Sequence, residues 1–238
     1  MKILITGGSG GLGAATVRKL AVEKDNIIYF TWSGSSESAS QLTSEFKNCH
    51  AIHCDFTDAA SVGQLAESFG SLLPDVLINN ASLPFQKTYL HKTDVETFTS
   101  SFENNIVPII RITNAAIAQF RKNKSGKIIN ILSAAMIGKP PIGWAEYVAN
   151  KNYILSLSKS WATENIKFNI TSNCVSPSFM ETKFTSDTDA RVLEQMIDSH
   201  PLKKLLRPEE VADAIFFLTN CSAHINGINL IINAGVEL

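Results

Sequence analysis

The sequence has no surplus of charge of either sign. Lys and Arg together number 21 and Asp and Glu 22, which gives a formal net charge of −1. Proteins that bind nucleic acids or anionic membrane surfaces usually carry a strong positive surplus. We therefore expect neither a nucleic acid nor a membrane as a partner.

Long hydrophobic runs are also missing. The longest apolar stretches fall well short of the roughly 20 residues that cross a bilayer as a helix. Residues 2–5 (KILI) lead directly into glycines, which is typical of a strand and not of a signal peptide. We expect a cytoplasmic protein.

Cysteine is scarce, and its pattern excludes a disulfide framework. The four cysteines form no CxxC pair and no regular ladder. Residues 49–54 (CHAIHC) are of metal-ligand type, but on a strand Cys49 and His53 would face one side and His50 and Cys54 the other. Because four ligands cannot converge from opposite faces on one tetrahedral ion, we expect no metal site.

What the chain does contain is an alternation of short apolar runs with apolar residues at helical spacing. The predicted strands are 2–6, 26–31, 49–54, 75–79, 127–132, 168–175 and 228–232. The predicted helices lie near 12–23, 37–46, 58–70, 94–122, 144–164 and 208–219. Alternating strands and helices build parallel βαβ units, so the pattern predicts an α/β fold with a doubly wound parallel seven-stranded sheet and helices on both faces.

No linker rich in Pro, Gly or Ser divides the chain. A length of 238 residues, 45% of them apolar, suits one domain over 1–238. The longest irregular stretch is about 176–207 and contains Pro177 and Pro201. Long loops in compact domains are often functional, so we expect a substrate loop there.

A glycine-rich segment follows the first predicted strand, where Thr6 to Gly13 reads TGGSGGLG. Glycines let the backbone turn sharply and approach a ligand closely, and the start of the next helix can bind a pyrophosphate. A simple tight turn is the other interpretation of such glycines. The strand before and the helix after favour a dinucleotide site.

A second pattern lies in the predicted helix 144–164. Tyr147 and Lys151 are four residues apart and so share a helix face, as residues on a solvated helix also can. A neighbouring lysine should lower the tyrosine pKa from about 10 and let the phenol exchange a proton with a carbonyl or alcohol oxygen. Ser133 ends a predicted strand, and the carboxyl edge of the sheet would bring all three side chains together.

In this order, the motifs resemble the short-chain dehydrogenase/reductase family of Rossmann-type oxidoreductases along the whole chain. Thr6 to Gly13 is similar to the family's TGxxxGxG loop, residues 79–81 to its NNAG segment, and residues 130–133 to its NISS serine. Tyr147 and Lys151 match its YxxxK pair, and residues 173–177 resemble its NxVxP turn. Within the family, the chain is most similar to 3-oxoacyl-[acyl-carrier-protein] reductases, in length, in residues 207–210 (RPEE) and in the serines after the second strand.

The resemblance implies a role for each matched residue. In the catalytic tetrad, Tyr147 would donate the proton, Ser133 would bind the carbonyl oxygen, Lys151 would hold the ribose and Asn105 would support a water-borne proton relay. Asp55 would contact the adenine and Thr182 the carboxamide. The cofactor-binding residues implied are Gly7, Ser9, Gly10, Gly11, Leu12, Gly13, Ser33, Asp55, Phe56, Asn80, Ala81, Tyr147, Lys151, Pro177 and Thr182.

Four positions depart from the family pattern. Ser82, Ser178 and Ala234 replace glycines, and Pro108 stands where the tetrad helix usually has glycine. None of these changes removes a proton-transfer group. Ser178 bears on the nicotinamide side of the site, because glycine there permits a close approach of the backbone.

The end of the second strand lacks the carboxylate that binds the ribose hydroxyls of NAD. Residues 30–36 read FTWSGSS. Without that acid a 2′-phosphate is not repelled and hydroxyls such as that of Ser33 could bind it, although no arginine clamps it. We expect NADP(H) to be favoured over NAD(H), while the serines could also be ordinary turn residues.

The resemblance implies an NADPH-dependent reductase that converts a 3-oxoacyl thioester to the 3-hydroxyacyl form. A reductase of another ketone or sugar and a non-catalytic NADP-binding protein are the alternatives, and the intact Ser133, Tyr147 and Lys151 argue against the last. Three lysines could bind an acidic carrier protein or be scattered surface residues: Lys122, Lys124 and Lys167.

The resemblance also implies a homo-oligomer, a tetramer or a dimer. The helices near 94–122 and 144–164 would pack against those of a partner, and they hold more apolar residues than one core-facing stripe needs. The residues concerned are Ile109, Ile112, Ile117, Leu155 and Trp161.

Overall fold

The structure is a computed structural model that describes residues 1–180, 182 and 188–236. Seven strands form one parallel sheet in the order β3-β2-β1-β4-β5-β6-β7. The strands are β1 Lys2–Ile5, β2 Ile27–Trp32, β3 Cys49–His53, β4 Val76–Asn79, β5 Gly126–Ile131, β6 Ile170–Pro177 and β7 Asn229–Ile232. The predicted α/β fold is confirmed, and each strand begins and ends within two residues of its predicted bounds.

Helices connect the strands. In the described ranges they are α1 Gly11–Ala21, α2 Ser36–Glu45, α3 Ala59–Glu67, α4 Phe69–Leu72, α5 Val95–Asn123, α6 Ala145–Asn165, α7 Ala190–Ser199 and α8 Pro208–Asn220. Short 3₁₀ turns occupy Leu90–Lys92, Ala134–Met136 and Ile166–Phe168. In the part of the chain described, no helix is both long and apolar enough to cross a membrane.

The two sheet faces build two hydrophobic cores, because successive side chains of a strand point to opposite sides. In β1, Ile3 and Ile5 pack into the core that α1 and α8 cover. Leu4, between them, packs into the core that α5 and α6 cover. Both faces are therefore buried, which agrees with the continuous apolar runs of the strands.

The stretch 176–207, which was predicted to be irregular, contains helix α7. Asp189 caps α7 by accepting a hydrogen bond from the backbone N–H of Arg191 at 2.8 Å. No residue of α7 is buried, so the helix lies outside both cores, and prolines on either side hid its periodicity. Positions 181 and 183–187 of the predicted substrate loop lie outside the described residues.

The order of the strands positions the site. The chain leaves β1 toward β2 and β3, then returns to place β4 on the other side of β1. Connections on either side of this point go to opposite faces, which opens a crevice beyond the carboxyl ends of β1 and β4. A ligand site is expected at that edge.

Candidate active site

A cleft of about 890 Å³ lies along the carboxyl ends of the strands. Most of the predicted site residues line it, although they come from six different strand-to-helix segments. These residues are Gly7, Ser9, Gly10, Gly11, Leu12, Gly13, Ser33, Phe56, Asn80, Ala81, Ser133, Tyr147, Lys151, Pro177 and Thr182. Asp55 and Asn105 are the two predicted residues outside its lining.

The glycine-rich loop has the shape of a cradle. Gly7 and Gly11 have positive φ values of 65° and 50°, which side chains rarely adopt. A Cβ atom at Gly13 would lie 2.0 Å from the carbonyl oxygen of Gly7, whereas one at Gly10 would meet nothing within 4 Å. The loop is thus tightly packed at Gly13 and open at Gly10.

Asn80 and Thr6 hold this loop in place. The Asn80 side-chain amide donates to the carbonyl oxygens of Thr6 and Gly7, each at 3.0 Å. The Thr6 hydroxyl oxygen accepts hydrogen bonds from the backbone N–H groups of Asn80 and Ala81 at 3.0 Å. Asn80, predicted as a cofactor contact, therefore also supports the loop.

The loop continues into the N-terminus of α1, where an anion would bind. Gly10 is the N-cap and brings no side chain, and the first turn of α1 contains no acidic residue. Its N–H groups and the positive end of the helix dipole therefore remain available to a phosphate. The residues present fit the pyrophosphate of a dinucleotide.

At the far end of the cleft, serines follow β2. Ser33, Ser35 and Ser38 line the wall, and the Ser35 hydroxyl caps α2 by accepting from the Ser38 N–H at 3.3 Å. Within the described residues, neither Lys nor Arg lines this end of the cleft. The expected hydroxyl-rich end is present, without a positive side chain.

Asp55 makes local contacts. Its carboxylate accepts hydrogen bonds from the N–H and the hydroxyl of Thr57, both at 2.8 Å, and these bonds lower the pKa of Asp55. The neighbouring Cys54 and Phe56 line the cleft instead. Both bonds to Thr57 use Oδ1 of the carboxylate, and the adenine contact of Asp55 stays a prediction.

Thr182 lies against the glycine loop. Its Cβ would be 3.5 Å from a Cβ at Gly11. The residue thus faces the pyrophosphate end of the cradle, and the predicted carboxamide contact stays a prediction.

Ser133, Tyr147 and Lys151 converge at the near end of the cleft. The Tyr147 hydroxyl and Ser133 are hydrogen bonded. The Lys151 ammonium donates to the carbonyl oxygen of Ile131 at 3.0 Å and lies 5.4 Å from the Tyr147 ring centroid. A hydroxyl, a phenol and an ammonium group therefore surround one point beside the ends of β5 and α6.

The pKa of Tyr147 differs in direction from the prediction. Burial raises the Tyr147 pKa, and the hydrogen bond with Ser133 lowers it by less. Burial lowers the pKa of Lys151 from 10.5 to about 8. The predicted lowering of the Tyr147 pKa is thus wrong for the free protein, because withdrawal from water disfavours both charged forms.

Aromatic rings fix the orientation of Tyr147. Phe85 stacks on it with centroids 4.7 Å apart and an interplanar angle of 19°, and Trp144 meets it edge-on at 5.6 Å. Trp144 lines the cleft. These rings surround Tyr147 and explain its burial.

Asn105 does not face the cleft. Its Oδ1 accepts from the backbone N–H of Leu83 at 2.8 Å, and its Nδ2 donates to the carbonyl oxygen of Ser101 at 3.1 Å. The side chain therefore ties α5 to the segment that follows β4. It borders a second, small cavity that Tyr147 and Lys151 also line.

Comparison with known proteins decides the family. Residues 1–192 match the family described as short chain dehydrogenase.

The chain belongs to the short-chain dehydrogenase family.

Relatives of this short-chain dehydrogenase align over nearly their whole length. It is 30% identical to 3-oxoacyl-[acyl-carrier-protein] reductase FabG of Staphylococcus aureus, with 99% of this chain and 97% of that protein covered. It is 32% identical to the 3-oxoacyl-[acyl-carrier-protein] reductase of Synechocystis sp., with 99% and 96% covered. The chain is an oxidoreductase that acts on keto or hydroxy groups and uses a nicotinamide dinucleotide.

A solved structure has the same fold. The 3-ketoacyl-(acyl-carrier-protein) reductase of Brucella melitensis, complexed with NADH, is 22% identical and superposes with a TM-score of 0.88, covering all of this chain and 98% of that one. At this identity the likeness shows the fold alone.

The departures from the family pattern are accommodated by the backbone. Ala234 keeps the left-handed conformation expected of a glycine, with a φ of 54°. The N–H of Ser178 donates to the Ile232 carbonyl at 2.8 Å and so extends the β6–β7 pairing. Helix α5 continues through Pro108, whose nitrogen cannot donate to the carbonyl of Asn104.

Sequence reasoning missed the apolar wall of the short-chain dehydrogenase cleft. Val192 and Met196 of α7 line the cleft together with Leu83, Trp144 and Met180. Val192 and Met196 are four residues apart, a helical spacing that could have indicated α7. Leu83 lies in a segment without periodicity, and Trp144 stands at the start of the predicted helix 144–164, where no pattern indicated that it faces the cleft.

Proposed function

We propose that the protein reduces a 3-oxoacyl thioester to the 3-hydroxyacyl form with NADPH. The convergence of Ser133, Tyr147 and Lys151 beside an apolar wall is the observation that carries this proposal. The similarity to two 3-oxoacyl-[acyl-carrier-protein] reductases at 30% and 32% identity supports the substrate class.

The residues of the site suit carbonyl reduction. A bound nicotinamide supplies the hydride. Tyr147 donates its proton to the carbonyl oxygen, and the raised pKa of Tyr147 keeps the phenol protonated at neutral pH. Ser133 donates a hydrogen bond to the same oxygen and stabilises the charge that develops there.

Lys151 serves this chemistry electrostatically. Its ammonium favours the phenolate that remains on Tyr147 after proton transfer. A pKa of about 8 for Lys151 means that this charge is lost in alkaline solution. Lys151 also lies where it can hold the ribose, and Asn105 would support a water-borne proton relay.

The preference for NADPH rests on charge. No carboxylate follows β2 before Glu37, which lies in the first turn of α2 and not in the lining of the cleft, so no acid stands where NAD enzymes bind the ribose hydroxyls. The hydroxyls of Ser33, Ser35 and Ser38 and the N-terminus of α2 supply donors at that end of the cleft. NADH would find no acid there to bind both ribose hydroxyls.

The substrate loop, about 176–207, supplies apolar contacts through α7. Two of the three lysines, Lys122 and Lys124, lie at the C-terminal end of α5, and Lys167 lies in the turn before β6. All three are therefore at the amino edge of the sheet. A carrier protein bound there would lie on the opposite edge from this chain's own cleft. These lysines therefore offer no support for carrier docking beside the same site.

The test is NADPH oxidation against a panel of 3-oxoacyl thioesters, simple ketones and sugars. We expect thioesters to be reduced with the highest kcat/KM and NADPH to bind more tightly than NADH in fluorescence titration. A preference for NADH would refute the cofactor assignment. Tight NADPH binding without reduction of any carbonyl would favour the non-catalytic alternative.

We further propose that the protein is a cytoplasmic homo-oligomer, a tetramer or a dimer. The structure buries Ile109, Ile112, Ile117 and Trp161 within the chain itself, so these side chains do not form the partner-facing surface expected of them. Support comes instead from exposed apolar side chains on α5, α8 and β7: Val107, Phe217 and Ile231. Sedimentation velocity at micromolar concentration should give a dimer or tetramer, and a monomer would refute this prediction.

A further inference from the structure

A second cavity lies between α5, α6 and the ends of β4 and β5. Its volume is about 20 Å³, which is room for about one water molecule. Tyr147 and Lys151 line it, together with Asn79, Asn150 and Glu146. The cavity therefore adjoins the two groups that handle the proton without being part of the main cleft.

Asn79 indicates what the cavity holds. The residue is 3% exposed, and its amide nitrogen donates to Thr113 Oγ1 at 3.0 Å and to Asn130 Oδ1 at 2.8 Å. Its Oδ1 is buried without a hydrogen-bond partner in the described part of the chain. Buried polar atoms are rarely left unpaired, so a water in the cavity that donates to this oxygen explains the arrangement.

The reaction needs a route for protons at this place. Each carbonyl reduced removes one proton from Tyr147, which must be replaced before the next turnover. Tyr147 is half-buried, and a bound cofactor and substrate would close the main cleft above it. The small cavity offers another route by which a proton can reach Tyr147.

Glu146 is a carboxylate in the lining of this cavity. It precedes Tyr147 in the chain, lines the cavity and is half-buried. The hydroxyl of Ser101 donates to its Oε1, and the same hydroxyl accepts from Asn150 Nδ2 at 2.8 Å. The side chains of α5 and α6 thus hold a carboxylate at the cavity wall.

We propose that Glu146 is the proton port of the active site, an inference that rests on the proposed function. Its carboxylate takes a proton from solvent and passes one to the cavity water. The water passes a proton to the Lys151–Tyr147 pair, which restores the phenol. One proton enters for each carbonyl reduced, and Glu146 acts on the reaction only through these groups.

The test uses Glu146→Gln in the full-length protein, since glutamine keeps an acceptor oxygen for Ser101 but cannot carry the proton. In stopped-flow measurements we expect NADPH oxidation in the first turnover at the wild-type rate, because Tyr147 starts protonated. The steady-state kcat should fall about 10²-fold, the lower end of what acid–base groups contribute, with a larger solvent deuterium isotope effect. In Glu146→Ala, added formate should restore part of kcat.

The control is Glu164→Gln, an exposed glutamate on the same helix, which should behave as wild type. The proposal that Glu146 is the proton port would be overturned by a Glu146→Gln variant with an unchanged steady-state kcat. It would also be overturned if the first turnover slowed as much as the steady state. If that variant does not fold, Ser101→Ala, which releases the carboxylate, must show the same split between first and later turnovers. A wild type that reduces no carbonyl would instead overturn the proposed function itself.

Discussion

Replacing Tyr147 with phenylalanine should lower carbonyl turnover by about 10²- to 10⁴-fold, the range that general acid catalysis contributes. The phenyl ring keeps its stacking on Phe85 and its contact with Trp144, so only the hydroxyl is lost. The glycine cradle is untouched, and NADPH should bind almost as tightly as to wild type. Steady-state kinetics and fluorescence titration measure the two effects separately.

Two further variants are compared with Tyr147→Phe. Tyr153→Phe removes a hydroxyl from an exposed position on the same helix and should retain wild-type turnover. Lys151→Ala should weaken both turnover and cofactor binding, because it removes the charge beside Tyr147 and the ribose contact. Near-normal turnover of Tyr147→Phe on an accepted substrate would show that another group donates the proton.

Replacing Gly13 with alanine should weaken cofactor binding by about tenfold to 10²-fold. The new Cβ would lie 2.0 Å from the carbonyl oxygen of Gly7, so the loop must move out of its cradle shape. Overpacking of this kind costs about 1–3 kcal/mol, and each 1.4 kcal/mol lost from binding weakens affinity about tenfold. Titration with NADPH measures the change, and the melting temperature should fall by several degrees.

Gly70→Ala is the matched control, because a Cβ there meets nothing within 4 Å. It lies in α4, away from the cleft, and should leave both binding and melting temperature at wild-type values or slightly above, since alanine favours the helix. Wild-type affinity in Gly13→Ala would mean that the cradle does not hold the pyrophosphate.

Local patterns were sufficient for the elements of this fold. The apolar runs and the helical spacing are set by neighbours in sequence, and they predicted all seven strands to within two residues. The glycine loop and the Tyr147–Lys151 pair are also local, since each needs only a few consecutive residues. Helix α7 was not predicted because its short apolar pattern lies in a stretch interrupted by prolines; the helix itself contributes no buried residue.

Contacts that depend on the surroundings of a residue could not be predicted from local patterns. Asn105 bonds to the N–H of Leu83, and Asp55 bonds to Thr57, neither of which a motif match could indicate. The number of apolar residues on the two long helices suggested that Ile109 and Ile112 lie at an interface, but the chain itself buries both. A count of apolar residues on a helix does not say which element covers them.

By itself, the sequence determined the order of strands and helices and the cradle at Thr6 to Gly13, and it singled out Ser133, Tyr147 and Lys151 as the proposed proton-handling residues, because these follow from local spacing and side-chain chemistry. Only the tertiary structure decided the pKa directions of Tyr147 and Lys151 and the cavity beside them. Those properties depend on how much water the surrounding groups exclude. The groups that exclude it here, such as Phe85, Trp144 and Ile131, come from separate parts of the chain and meet only in the folded protein.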